Sequence, residues 1–241
     1  MRLHRYATAM GFMFGALLAG SAQAGLVNWM VSGNVTGEAD VSLNGTAAAA
    51  VNVGGSTAEV INGVTFAADD NLPDGVNPGG SVTVNGYTFH LPYLNAVNAN
   101  FWTGADPGGS SAYNTALDSA RFNPAGGDTV TITIEGLTVG YVYEVQIWYV
   151  ETRTGFDGAA DRTSKWTAGN EVTLDGNGDG GSQWVIGTFT ADATTQTFIN
   201  GPQSGNSIVQ LNMIQLRTLV PEPASAALMG MGGLFLMRRR K

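Results

Sequence analysis

Six consecutive residues, Thr129-Val130-Thr131-Ile132-Thr133-Ile134, alternate polar and apolar without a break. A period of two is the mark of a strand with one buried face, here Val130, Ile132 and Ile134. A longer run follows from Tyr141 to Val150. It sets Tyr141, Tyr143, Val145, Ile147 and Tyr149 on one face, and Val142, Glu144, Gln146, Trp148 and Val150 on the other. That pattern is a strand with one apolar and one mixed face. The stretch from Glu135 to Gly140 between the two runs predicts a turn, and the pair reads as an antiparallel hairpin.

The turn chemistry agrees with a β chain. Asn-Gly occurs at 44, 62, 85, 177 and 200, and this dipeptide favours the positive backbone angles of type I′ hairpins. Two copies have similar frames, Val60-Ile61-Asn62-Gly63-Val64-Thr65-Phe66 and Val82-Thr83-Val84-Asn85-Gly86-Tyr87-Thr88-Phe89. Each predicts a tight hairpin. Further strands are expected over Gln183–Thr190 and Ser207–Thr218. In the second, the apolar phase slips between Met213 and Ile214, which predicts a bulge or burial on both faces. One segment has a different period. In Ser110–Phe122, Tyr113, Ala116, Leu117 and Ala120 recur at helical spacing, Ser110 or Ser111 can cap the start, and Asn123-Pro124 can end it. The expectation is an all-β protein: an antiparallel β-sandwich, jelly-roll-like, with this one short helix plugging an end.

The chain contains no cysteine, so a core must hold it together without disulfides. Residues 25–219 carry eighteen acidic side chains against five basic ones, Arg121, Arg153, Arg162, Lys165 and Arg217, a net charge of −13. Such a body repels nucleic acid and anionic lipid, and nucleic-acid binding is excluded.

The two ends are of another kind. Arg2 and Arg5 precede an uncharged stretch from Tyr6 to Gly20, followed by Ala22-Gln23-Ala24. This is a secretory signal, expected as a helix over 1–24, with signal peptidase and Sec-type export machinery as its partners. Ala22 and Ala24 suit the peptidase pocket, and the cut is expected before Gly25. At the other end, Val220-Pro221-Glu222-Pro223 leads into fourteen apolar or small residues, 224–237, and then Arg238-Arg239-Arg240-Lys241. As a helix those fourteen residues reach ~21 Å at ~1.5 Å per residue. A bilayer core is ~30 Å thick, so the segment suits a transient hold in the inner membrane. The basic cluster favours a cytoplasmic C-terminus.

The box, the short apolar stretch and the terminal arginines, in that order, resemble the PEP-CTERM sorting signal. The resemblance implies recognition by an exosortase, a membrane cysteine protease, with cleavage near Pro221–Pro223. It also implies release or display on the surface of a Gram-negative-type cell, often alongside exopolysaccharide or biofilm. The body resembles ectodomains found upstream of such tails, through Asn62–Phe66, Gly136–Gly140, Tyr143–Trp148, Ile186–Asp192 and Leu211–Arg217. These imply a sandwich and no catalytic residue.

Candidate chemistry in the body is sparse. His90 is its one histidine, so a Ser-His-Asp triad would have to use it, and no Gly-x-Ser-x-Gly elbow is present. A hydrogen-bonded surface histidine at the end of Tyr87–Phe89 is the favoured reading. Glu144 and Glu151 could serve as paired glycosidase carboxylates, but their parity puts them on opposite faces of a continuous strand. Asp175, Asn177 and Asp179 have the alternate spacing of the first half of a calcium loop. Position twelve of such a loop is Ile186, so a glycine-rich hairpin between Glu171–Leu174 and Gln183–Thr190 is the favoured alternative. Asp69, Asp70 and Asp74 form a second acidic loop with weaker metal spacing. Trp102, Trp148 and Trp166 are candidates for stacking sugar rings, against the commoner fate of core packing. Arg153, Arg162 and Lys165 could dock an acidic polysaccharide, or pair locally with Glu151, Asp157 and Asp161.

The expected protein has three parts: a signal over 1–24, a sandwich ectodomain over 25–219, and a sorting tail over 220–241. It is a non-enzymatic surface or matrix protein with exopolysaccharide as its candidate partner. It carries no cofactor unless the calcium loop is occupied. The alternative is a carbohydrate-binding module or a glycan-active enzyme.

Overall fold

A computed structural model of the 241-residue chain describes residues 25–69, 80–97, 109–123, 128–151, 163–176, 182–203 and 209–219. The signal segment 1–24 and the tail 220–241, with the helix expected in each, lie outside the described residues.

Two sheets form the body. The seven-stranded sheet runs in the order β1 (Asn28–Asn34), β13 (Gln183–Thr190), β10 (Val142–Tyr149), β16 (Met213–Leu219), β2 (Thr46–Asn52), β4 (Val64–Ala68), β3 (Glu59–Ile61). The six-stranded sheet runs β12 (Asn170–Asp175), β11 (Thr163–Ala168), β14 (Thr195–Pro202), β9 (Val130–Glu135), β6 (Tyr87–Leu91), β5 (Gly80–Val84). A small third sheet joins β15 (Val209–Leu211), β8 (Ala120–Asn123) and β7 (Asn95–Val97). Pairing is antiparallel except between β2 and β4, which run parallel over two residue pairs.

The alternation seen in sequence sets the layers. Val130, Ile132 and Ile134 of β9 meet Tyr143, Val145, Ile147 and Tyr149 of β10 in one core between the sheets. Phe189 stacks on Tyr143 at 5.6 Å and meets Phe198 edge-on at 6.3 Å. The two strands are not a hairpin, however. β9 pairs with β14 and β6, whereas β10 pairs with β13 and β16 in the opposite sheet. Each strand has an apolar face, and crossing the sandwich lets both faces bury against each other. Pairing edge to edge would leave both needing cover. The six residues Gly136–Tyr141 make the crossing, with Gly136 and Gly140 at positive φ. The connection after β12 likewise crosses between sheets, because β12 pairs with β11 and β13 pairs with β1 and β10. The expected hairpin there is absent.

The two framed Asn-Gly pairs behave as expected. Asn62 and Gly63 join β3 to β4, Asn85 and Gly86 join β5 to β6, and all four have positive φ. Asn200-Gly201 does not turn; it lies inside β14, where the buried Asn200 side chain bonds the Tyr93 hydroxyl and the Gln210 carbonyl.

The helix α1 is shorter than its periodicity predicts, Ser111–Leu117. The Ser110 hydroxyl caps it, accepting from the Tyr113 N–H at 3.2 Å. Asn212 ends it: its amide donates to the carbonyls of Leu117 and Ser119, groups that a helix C-terminus leaves unpaired. Ala120–Phe122, expected as helix, instead belongs to the strand β8. The helix does not plug an end of the sandwich. Tyr113, Ala116 and Leu117 pack with Trp148, Met213, Ala50 and Phe66 on the outer face of the seven-stranded sheet. Asn212 also breaks the expected strand 207–218 into β15 and β16, and Met213 to Arg217 are buried on both faces.

The pairing registers give the body two unlike poles. At one pole lie the tight turns Asn62-Gly63, Asn85-Gly86 and Gly169, the crossing Gly136–Tyr141, and both chain ends. Gly25 abuts the Thr190 carbonyl, and Leu219 pairs with Val142. At the opposite pole end β4, β10 and β12 and begin β5, β11 and β13.

Candidate functional site

The functional element that is plainest in sequence is the tail, and the fold decides how it is presented. The last described residues, Arg217 to Leu219, belong to β16, a central strand between β10 and β2. The outward side chains of β10 and β16 face each other in register: Glu144 with Arg217, Gln146 with Gln215, Trp148 with Met213. Together they hold the segment 38–45 on the sheet. Gln146 accepts from the Ser42 N–H at 2.9 Å and donates to the Asp40 carbonyl at 2.6 Å. Gln215 donates to the Ser42 carbonyl. Glu144 accepts from the Ser42 hydroxyl and from the Asn44 amide. Arg217 donates to the Asn44 and Gly45 carbonyls. Burial lowers the pKa of Arg217, and the nearby Glu144 carboxylate partly opposes that shift. These residues belong to the Tyr143–Trp148 and Leu211–Arg217 motifs, so the motifs encode the strand that carries the tail and its strap.

Trp148 and Trp166 are not sugar platforms. Both are fully buried. Trp148 meets Phe66 edge-on at 5.8 Å, and its indole N–H donates to the Tyr113 hydroxyl at 3.2 Å. That hydroxyl donates to Asp40 at 3.0 Å. Trp166 lies in the core between the sheets. Trp148 points outward from its sheet and is covered by α1, whereas Trp166 points into the core, and strand parity alone could not show that either ring is covered. Trp102 lies outside the described residues.

The one body histidine is hydrogen-bonded on the outward face of the six-stranded sheet. Ser81 Oγ lies 2.7 Å from His90 Nδ1, and Glu135 Oε1 lies 3.1 Å from His90 Nε2. A hydroxyl, an imidazole and a carboxylate are thus in line. They sit on an open strand face, with the His90 and Glu135 side chains 39% and 50% exposed. Glu144 and Glu151 are both buried. Glu144 is held by Ser42 and Asn44, while Glu151 lies past the end of β10 with its N–H on the Gly176 carbonyl. Lys165 pairs across β11–β12 with Glu171 at 3.6 Å, an acid that was not among those named from sequence. Arg153, Arg162, Asp157 and Asp161 lie outside the described residues.

Asp175 ends β12, with its N–H on the Gln183 side chain at 2.8 Å; Asn177 and Asp179 lie outside the described residues. Among the described residues no group of three or more potential metal-binding side chains is present. Asp69, read as part of an acidic loop, is instead the buried counter-ion of Arg121. The guanidinium holds the carboxylate through two nitrogens, at 2.6 Å for Nη2–Oδ1, and donates to the Leu91 carbonyl at 2.8 Å. Asp70 and Asp74 lie outside the described residues. Sequence reasoning missed this pair. Its signal was an arginine between Ala120 and Phe122 in a chain with few cations.

Two buried phenols give the body an alkaline limit. Burial raises the pKa of Tyr93. It also raises that of Tyr113, where the Asp40 carboxylate adds to the shift. In the unfolded chain a tyrosine ionises near ~10. Above that pH the unfolded state loses protons that the folded state keeps, so stability present below ~10 falls as pH rises. The unfolding free energy from urea titrations should fall between pH 8 and pH 11, by roughly 1 kcal/mol per buried phenol per pH unit beyond 10, and the midpoint with it. A midpoint that holds or rises would contradict the burial of these hydroxyls.

Residues 219–241 match the PEP-CTERM protein-sorting motif. The chain is therefore an exported protein that pairs a β-rich ectodomain with a C-terminal exosortase sorting signal. It crosses the inner membrane and reaches the cell surface or the medium. No curated protein matches it at sequence level. Among solved structures, the ANX1 ectodomain of Arabidopsis thaliana is similar at TM-score 0.43 and 14% identity, over 70% of this chain and 41% of that one. Beta-glucuronidase 2 of Bacteroides uniformis is similar at TM-score 0.45 and 16% identity, over 70% of this chain and 17% of that one. This chain thus spans less than half of either.

Proposed function

We propose that the ectodomain is a non-enzymatic component of the cell surface or extracellular matrix, with exopolysaccharide as its partner, delivered by exosortase processing of the tail. The sorting motif directly after the last strand carries this reading. The signal segment is removed before Gly25, and the inner membrane holds the protein only until the tail is cut. The alternative, a carbohydrate-binding module, has lost two of its three tryptophans to the core. Calcium is proposed as an optional ligand of Asp175, Asn177 and Asp179, with few oxygen donors and hence weak affinity. A glycan array probed with exported protein, with and without millimolar calcium, tests the set. Retention on bacterial exopolysaccharides without turnover of glycosidase substrates is expected. Hydrolysis of a glycan would overturn the non-enzymatic reading, and no retention on any polysaccharide would overturn the partner. Calorimetry on Asp179→Ala beside the parent reads the calcium term: heat in the parent alone supports it, and equal heats remove it.

A further inference from the structure

We propose that the pole carrying both chain ends is a bilayer-contact surface, seated in the headgroup layer of the inner membrane while the sorting tail is still attached. The proposal rests on the tail being a membrane-held sorting signal. Two independent features lead to it, and the charge of the pole says what kind of contact it is.

The tether is short. Leu219 is still paired with Val142 inside the sheet, and the apolar stretch begins at Ala224. Leu219 and Ala224 are five residue steps apart, which can span at most ~18 Å at ~3.3–3.6 Å each. The headgroup layer on each side of a bilayer is roughly 5–8 Å deep. Such a tether keeps the pole that carries it within ~13 Å of the headgroups, facing the membrane.

The pole is apolar. Leu26 is 63% exposed, Leu43 56%, Val139 57% and Tyr141 46%, and all four belong to this end. Val139 and Tyr141 lie in the crossing whose Tyr141 carbonyl accepts from Ala191 N–H, one residue before the Val142–Leu219 pair. Leu26 packs beside the Gly169 turn. Leu43 lies in the strap, next to Asn44, whose carbonyl takes Arg217. Val60, two residues before the Asn62-Gly63 turn, also lies near this end; the other exposed large apolar side chains are dispersed, with Met30 and Val31 on β1, Leu94 at the opposite pole and Ile199 on the six-stranded sheet. A tyrosine with apolar neighbours is suited to the membrane interface, where the ring meets acyl chains and the hydroxyl meets water.

Among the described residues the pole offers no basic patch. Its nearest exposed charges are acidic, Asp192, the half-exposed Glu135 and Glu171, the last paired with Lys165. The contact is therefore apolar and not electrostatic, and zwitterionic lipid suits it. The opposite pole then points away from the membrane.

The chain has no cysteine, so a single introduced one reports a unique position. Full-length protein would be reconstituted in phosphatidylcholine vesicles as three spin-labelled variants, Val139→Cys, Leu94→Cys and Ala227→Cys. Relaxation by oxygen, which partitions into lipid, would be compared with relaxation by a water-soluble nickel chelate. The proposal predicts a several-fold higher oxygen-to-nickel ratio at 139 than at 94, with 227 higher still. A label at Leu43→Cys should follow the one at 139. If 227 reads as lipid while 139 and 43 read as water like 94, the contact surface is wrong and the anchor stands. If 227 itself reads as water, the membrane-held tail fails and this proposal falls with it.

Discussion

Replacing Arg121 by methionine should cost about 3–5 kcal/mol of stability, the range seen when one partner of a buried ion pair is removed. Arg121 and Asp69 are both fully enclosed, and the carboxylate also accepts from the Gly54 N–H at 3.0 Å. Without the guanidinium, Asp69 must either carry an unpaired charge in the core or take up a proton. The pair joins β8 to the end of β4, and its third hydrogen bond reaches β6 at Leu91. Small domains have only about 5–15 kcal/mol in total, so the variant should unfold at much lower urea and yield little exported protein. The double variant Arg121→Met, Asp69→Leu should recover much of the loss, because it removes the charge instead of orphaning it. A single variant with the parent's urea midpoint would contradict this account of the core.

Trp148→Ala should be similarly severe, about 3–5 kcal/mol, as for other large aromatic truncations in cores. The ring fills the layer between the seven-stranded sheet and α1, beside Phe66, Met213 and Leu117. Its loss also strands the Tyr113–Asp40 link that ties the strap to the helix. Trp148→Phe keeps most of the packing and loses only the N–H donor, so it should be clearly milder. The outcome separates two roles for this residue. A sugar platform would fold normally as Trp148→Ala and lose ligand; a core residue loses its fold. Equal urea midpoints for Trp148→Ala and the parent would revive the platform.

The strands were legible because one physical rule, alternation on a half-buried surface, governs Thr129–Ile134 and Tyr141–Val150. The two Asn-Gly hairpins at 62 and 85 were legible because few residues other than asparagine and glycine tolerate φ near the observed 49° to 86°. What could not be read was the partner of each strand. Alternation says that β9 and β10 each bury a face, but not whether they pair side by side or cross the sandwich. The helix failed at its C-terminus for a related reason. Ala120 keeps the helical period, yet the side chain that stops the helix, Asn212, lies 93 residues from Ser119 in sequence. Buried polar partners posed the same difficulty. Arg121 and Asp69 are 52 residues apart, and only the fold reveals that they meet. The tail was legible because a sorting signal is read by a protease and a membrane as a linear string.

Export followed by tail removal is the central claim, and a blot of fractionated cells tests it most directly. Full-length protein would be expressed in a host with an intact exosortase and in one lacking it. The intact host should show a shorter species outside the inner membrane, beginning at Gly25 and ending near the Val220–Pro223 box. The deficient host should retain in the inner membrane a species that still carries the tail. Uncut protein in the inner membrane of both hosts would contradict the account and reduce residues 220–241 to an ordinary anchor.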